Sequence, residues 1–182
     1  MPRGTLFLIV GPSGAGKDSL IDGARQALAD SAAIVFARRT VTRPADAGGE
    51  DHDPATAEEF AALTAQGGFM LHWRAHGTYY GIPADYASHL DGGRAVVANV
   101  SRTVIAAAAA TFAPVRVVEV TAPPDILAAR LAGRGRENGA EALGRLARGV
   151  ALPAGVPMLR IDNTGTLDAG IALMLAALRG EA

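Results

Sequence analysis

The chain has 182 residues, a formal net charge of −1 and no cysteine. That length suits one well-cored α/β domain with small insertions rather than two full domains, and the lack of cysteine excludes disulfides, thiolate metal sites and thiol catalysis. With no basic run or basic helix face, the charge pattern argues against a nucleic-acid partner.

The first element is the apolar run Leu6-Phe7-Leu8-Ile9-Val10, which reads as a buried strand. It is too short for a signal-peptide core, and the Ala-rich stretch from Val104 to Phe112 is too short to span a bilayer, so a cytoplasmic protein without membrane contact is expected. Directly after the run come Gly11-Pro12-Ser13-Gly14-Ala15-Gly16-Lys17-Asp18-Ser19. The spacing G-x-x-x-x-G-K between a strand and a helix-periodic segment is that of a P-loop, whose backbone N–H groups wrap phosphate oxygens while the lysine reaches the β- and γ-phosphates. A Gly-rich strand-to-helix turn without a ligand is the plainer alternative. Lys17 argues against it, being the one lysine among 17 Lys plus Arg: a compact ammonium is kept where a planar guanidinium fork would not fit. Asp18-Ser19 departs from the motif, which normally has Ser or Thr after the lysine to bind Mg²⁺.

Leu20, Ile21, Ala24, Ala27 and Leu28 recur at helical spacing and predict a helix over Lys17 to Ala29. A short strand from Ile34 to Ala37 then delivers Arg38, Arg39 and Arg43 to the edge that carries the P-loop, provided that the sheet is parallel. Residues 45 to 54 read as an acidic, Gly-rich loop. Thr56 with Glu59 has the pattern of a capping box opening a helix to Ala65, and Phe69 to Arg74, a turn at His76-Gly77, and Tyr79-Tyr80-Gly81 read as a β-hairpin. His72, Trp73 and His76 are read as core and turn residues more readily than as chemistry.

Ala95 to Val100 and Val115 to Val120 are buried strands around an Ala-rich helix, and Pro123-Pro124-Asp125 opens a helix through Leu131. Arg134, Arg136, Arg145 and Arg148 follow among glycines. They are either exposed arginines of a Gly-capped helix pair or, as their charge suggests, a mobile lid over an anion. Met158 to Ile161 is a fifth strand, and Leu167, Ile171, Met174, Leu175 and Leu178 mark the closing helix. Alternation of strands and helices predicts an α/β fold: a parallel five-stranded sheet with helices on both faces. The expected organisation is a core of 1–38, 91–132 and 150–182, an acceptor-binding insertion at 39–90 and a lid at 133–149.

The P-loop, Thr42-Arg43-Pro44, Gly49-Glu50-Asp51-His52, Glu59-Phe60, the Trp73 to Gly81 block and Arg134-Gly135-Arg136-Glu137-Asn138 stand in an order that resembles the guanylate kinases over nearly the full length. Within that superfamily the chain looks most like the ribose 1,5-bisphosphate phosphokinases of phosphonate degradation. The resemblance implies a P-loop kinase fold and phosphoryl transfer from ATP, with Mg²⁺, to the 1-phosphate of ribose 1,5-bisphosphate, giving 5-phosphoribosyl 1-diphosphate and ADP. It gives Gly11 to Ser19 to the nucleotide, Lys17, Arg134, Arg136 and Arg145 to catalysis, and Arg39, Arg43, His52, Tyr80 and Asn99 to the acceptor.

Several departures separate the chain from guanylate kinases. Their acceptor-phosphate ligands become Arg39, Arg43, Asp46, His52 and Tyr80, of which two are unchanged, Arg43 and Tyr80. Their guanine-reading glutamate and serine become Leu71 and Ile82, which offer a base no hydrogen bond. A family aspartate becomes Asn99 while Asp18 appears beside Lys17, so the Mg²⁺ carboxylate is expected to have moved to Asp18, acting directly or through water. A guanylate or other nucleoside monophosphate kinase, and a non-catalytic interaction domain of the same fold, are the alternatives. The partner expected is a small phosphorylated sugar, with monomer and homodimer both open.

Overall fold

Short runs rich in Val, Ile and Leu become the strands of a parallel sheet in the computed structural model, which describes residues 2–44, 51–132 and 153–181. The strands are β1 (Leu6–Val10), β2 (Ile34–Phe36), β7 (Ala95–Asn99), β8 (Val115–Thr121) and β9 (Met158–Asp162), in the order β2-β7-β1-β8-β9. All four neighbouring pairs are parallel. β1 lies at the centre with Leu8 level with Ala98 on one side and Val117 on the other. Buried on both faces, it needs apolar side chains at every position, and all five of its residues are buried.

Alternation along β1 sends its side chains to two separate cores. Phe7 and Ile9 meet α1 (Lys17–Ala27) through Leu20, Ile21 and Ala24, and the last helix, α6 (Leu167–Arg179), through Met174, Ala177 and Leu178. Leu6, Leu8 and Val10 face the other way, onto Ile105 and Ala108 of α4 (Ile105–Thr111) and onto Leu71, Trp73 and Ile82. Each fully buried Leu or Ile contributes about 1.5–3 kcal/mol, so the expected sheet with helices on both faces is also where most of the stability resides. Polar side chains cluster where the strands end. There Glu119, at 7% exposure, accepts from Arg102 and from Arg160 Nε at 2.8 Å, joining β8 to β9 and to the turn after β7.

A second sheet stands beside the first: β3 (Arg39–Val41), β4 (His52–Pro54), β5 (Phe69–Ala75) and β6 (Thr78–Pro83), ordered β4-β3-β6-β5. The expected hairpin is its β5–β6 edge. His76 (φ 50°) and Gly77 (φ 79°) are both left-handed, the geometry of a two-residue turn that matches strand twist. The sheet is larger than the hairpin because β3 and β4, three residues each and with no strand expected at either, pair in parallel, Arg39 opposite His52. Elements so short carry no readable periodicity, and the same holds for α3 (Tyr86–Asp91), which was not anticipated. α2 (Ala57–Ala65) has the expected capping box: Thr56 Oγ1 accepts from Glu59 N at 3.1 Å and Glu59 Oε2 accepts from Thr56 N at 2.8 Å. α5 (Pro124–Ala132) follows β8. Among the described residues no helix is long and apolar enough to cross a membrane.

Candidate active site

At the carboxyl end of β1 the chain must reverse against its neighbours, and glycine permits it. Gly11 has φ 147°, and a Cβ there would stand 2.0 Å from the Val120 carbonyl oxygen. Gly16 has φ 87°, and its Cβ would meet Asn163 Nδ2 at 2.5 Å. α1 begins at Lys17, so its unsatisfied N–H groups and positive dipole end open onto the loop. Lys17 Nζ donates to the Gly11 and Pro12 carbonyls at 2.9 Å each, which holds the ammonium over the loop. Ser13 and Ser19 are exposed, and Ala15 is buried beneath them.

Two residues that sequence reasoning did not assign to the site support this loop. Asn163, just past β9 and 6% exposed, donates from Nδ2 to the Ala15 carbonyl at 2.8 Å, while its backbone N–H donates to Thr121 O at 2.8 Å. Arg130, in the last turn of α5, donates from Nη2 to the Asn163 carbonyl at 2.9 Å. Its Nη1 is buried with no hydrogen-bond partner among the described residues, 3.9 Å from where a Gly16 Cβ would stand. The signal available beforehand was an asparagine at the carboxyl end of a parallel strand, where ligands gather.

Asp18 and Asn99 lie side by side: Asn99 Nδ2 donates to Asp18 Oδ1 at 2.8 Å. Among the described residues no group of three or more His, Cys, Asp or Glu side chains is placed to hold a metal. A single hard carboxylate oxygen beside a phosphate loop fits Mg²⁺, which keeps several waters and takes one or two carboxylates plus phosphates.

On the other side of the cleft, Arg39 Nη1 donates to the Asn99 carbonyl at 3.1 Å. The second sheet therefore touches the strand end that also holds Asp18. Tyr80 lies under the Arg39 guanidinium, 5.2 Å from its ring centroid. His52 is 3% exposed, with Nε2 3.0 Å from the Arg43 carbonyl, tying β4 to the arginine turn after β3. Arg38 pairs with Asp51 (2.9 Å) and Asp53 (3.2 Å). His72 and His76 are exposed, His76 in the hairpin turn. Leu71 and Ile82 are cross-strand partners, 5% and 0% exposed, packed in the core behind the cleft. A small cleft lined by Asp18, Ile21, Asp22, Arg39, Asp51 and Asn99 joins the two sides. A larger cavity of 520 Å³ lies next to Arg43, Thr56, Glu59 and Tyr79. Arg134, Arg136, Arg145 and Asp46 lie outside the described residues.

No protein-family model matches the chain. It is 46% identical over 181 residues to "Ribose 1,5-bisphosphate phosphokinase PhnN" of Ruegeria sp. (strain TM1040), covering 98% of this chain and 94% of that one. It is 48% identical over 179 residues to "Bifunctional ribose 1,5-bisphosphokinase-thymidine phosphorylase" of Azorhizobium caulinodans; the match covers 98% of this chain and 26% of that relative's length. Among solved structures, guanylate kinase from Anaplasma phagocytophilum superposes with a TM-score of 0.70 at 18% identity, over 99% of this chain and 87% of that one. The fold is therefore that of the P-loop kinases.

Proposed function

The chain belongs to the ribose 1,5-bisphosphate phosphokinase family, and we propose that it transfers the terminal phosphoryl group of ATP to the 1-phosphate of ribose 1,5-bisphosphate. The bond from the γ-phosphorus to the ADP oxygen breaks, a bond to an oxygen of the 1-phosphate forms, and the products are 5-phosphoribosyl 1-diphosphate and ADP. The setting is phosphonate catabolism in the cytoplasm. One observation carries the choice of acceptor. Leu71 and Ile82, which the resemblance to guanylate kinases sets at the base-reading positions, are apolar and buried, and a base edge placed against them would lose its hydrogen bonds at a cost that rejects it strongly. A phosphorylated sugar has no such edge.

Phosphoryl transfer requires mainly that two anions be held in line while charge on the moving group is offset. The P-loop N–H groups and Lys17 bind the β- and γ-phosphates, held in shape by Asn163 behind Ala15. Asp18, directly or through water, would hold Mg²⁺, which would supply charge neutralisation at the phosphate oxygens. Arg39, Arg43 and Tyr80 bind the 1-phosphate, and Asn99 sets the distance between the two sides through its contacts with Arg39 and Asp18. His52, expected to donate to phosphate itself, supports this reading better as a brace, since it is buried against the Arg43 carbonyl. Arg134, Arg136 and Arg145 complete the charge on the transferring group. A phosphate acceptor is already ionised near neutral pH, so no general base is needed. In this reading residues 39–90 form the acceptor-binding insertion and 133–149 the lid of a single domain.

Phosphorus NMR of the products tests the assignment. With ATP and ribose 1,5-bisphosphate, a coupled diphosphate on C1 should grow as ADP does, with the 5-phosphate resonance unchanged. ADP formation without a C1 diphosphate would refute it.

A further inference from the structure

One feature of the cleft is used by none of these roles. Trp73, the single tryptophan of the chain, is 8% exposed and lies directly opposite Tyr80 across the β5–β6 ladder. The two rings are 5.4 Å apart and 7° from parallel. The Arg39 guanidinium sits over both, 5.9 Å from the indole and 5.2 Å from the phenol ring. A core position can be filled by any apolar side chain of suitable volume; Leu71, two residues earlier on the same face, is one. An aromatic slab adds a negative face, which attracts a guanidinium most strongly where water is scarce.

We infer that Trp73 is a positioning residue for the acceptor phosphate: it fixes Tyr80 by stacking and Arg39 by the cation–π contact, and so aims both at one point. The inference rests on the proposed roles of Arg39 and Tyr80. Arg39 is then held from two directions, by the rings beneath it and by the Asn99 carbonyl at 3.1 Å. Because Asn99 also holds Asp18 at 2.8 Å, the slab sets the acceptor cation at a constant distance from the P-loop carboxylate. A flexible arginine would reach phosphate equally well in many poses, but few of them would be in line for transfer.

Trp73→Leu, which keeps an apolar filler, and Trp73→Phe, which keeps a ring, separate positioning from packing. With ribose 1,5-bisphosphate, Trp73→Leu should raise the acceptor KM about five- to tenfold, the scale of losing a cation–π contact between the exposed and the fully desolvated limits, and leave the ATP KM within twofold. Trp73→Phe should recover most of that loss. A Trp73→Leu enzyme with an unchanged acceptor KM, or with both KM values shifted equally, would overturn the inference while leaving the substrate reading intact. If the unmodified protein turns over GMP and not ribose 1,5-bisphosphate, the substrate reading fails instead, and the same KM comparison on GMP tests the slab. Should Trp73→Leu not fold, the indole of the unmodified protein serves as the reporter. Its emission should change saturably with acceptor, at concentrations matching the KM, and Arg39→Leu should abolish the change. Constant emission at saturating acceptor would overturn the inference.

Discussion

The two sides of the cleft are built in opposite ways. The donor side is one uninterrupted stretch, Gly11 to Ser19, set on a central strand whose residues are all buried. The proposed acceptor side gathers Arg39 from β3, His52 from β4 and Trp73 with Tyr80 from the β5–β6 hairpin. A contiguous loop depends on its own backbone conformation, so its residue types follow from local geometry. An assembled site depends on pairing between distant strands, and its chemistry can change one strand at a time while the donor loop stays constant. On the proposed reading, that is how a base reader's position can hold Leu71 while Lys17 is kept.

Substitutions that act on one side only can break this contrast. The largest effect is expected from Lys17→Ala, which removes the charge on the transferring phosphates: kcat should fall roughly 10³-fold with any acceptor, while circular dichroism stays unchanged. Turnover near the original rate would remove the P-loop from the mechanism. Arg43→Ala should cost about 2–3 kcal/mol, roughly 30- to 150-fold in kcat/KM for the sugar bisphosphate, as for a charged hydrogen bond to phosphate. ATP binding, measured by calorimetry, should not move. Asn163→Ala leaves the Ala15 carbonyl unpaired, and at about 1–2 kcal/mol it should raise the ATP KM roughly 5- to 30-fold with the acceptor KM constant. Equal shifts in both would show that Asn163 serves the fold at large. The smallest effect is expected from Asp18→Asn: a severalfold rise in the Mg²⁺ concentration for half-maximal rate, with acceptor affinity unaltered. An identical Mg²⁺ titration would place the metal carboxylate elsewhere.

The same contrast explains what was legible in the sequence. The five parallel strands could be read because each is a short, mostly apolar run bounded by turn residues, and the P-loop because three residues, Gly11, Gly16 and Lys17, stand at one fixed spacing. The capping box at Thr56 and the turn at His76-Gly77 were legible for the same local reason. β3 and β4 were not: Arg39–Val41 and His52–Pro54 are charged, short or proline-ended, and they become strands by pairing with each other and with β6. Trp73 read as core, and it is core; its contact with Arg39 arises from a register across three strands. Asn163 was hidden likewise, since its partner Ala15 is 148 positions away.

The central claim is that the acceptor side has given up base recognition and re-formed phosphate recognition while the donor loop keeps its phosphate-wrapping glycines and Lys17. The ratio of kcat/KM for ribose 1,5-bisphosphate to that for GMP, measured on the unmodified protein at saturating ATP and Mg²⁺, tests it most directly. With Leu71 and Ile82 in place of polar base readers the ratio should exceed about 10³. A ratio near or below unity would contradict the account and return the chain to the guanylate kinases.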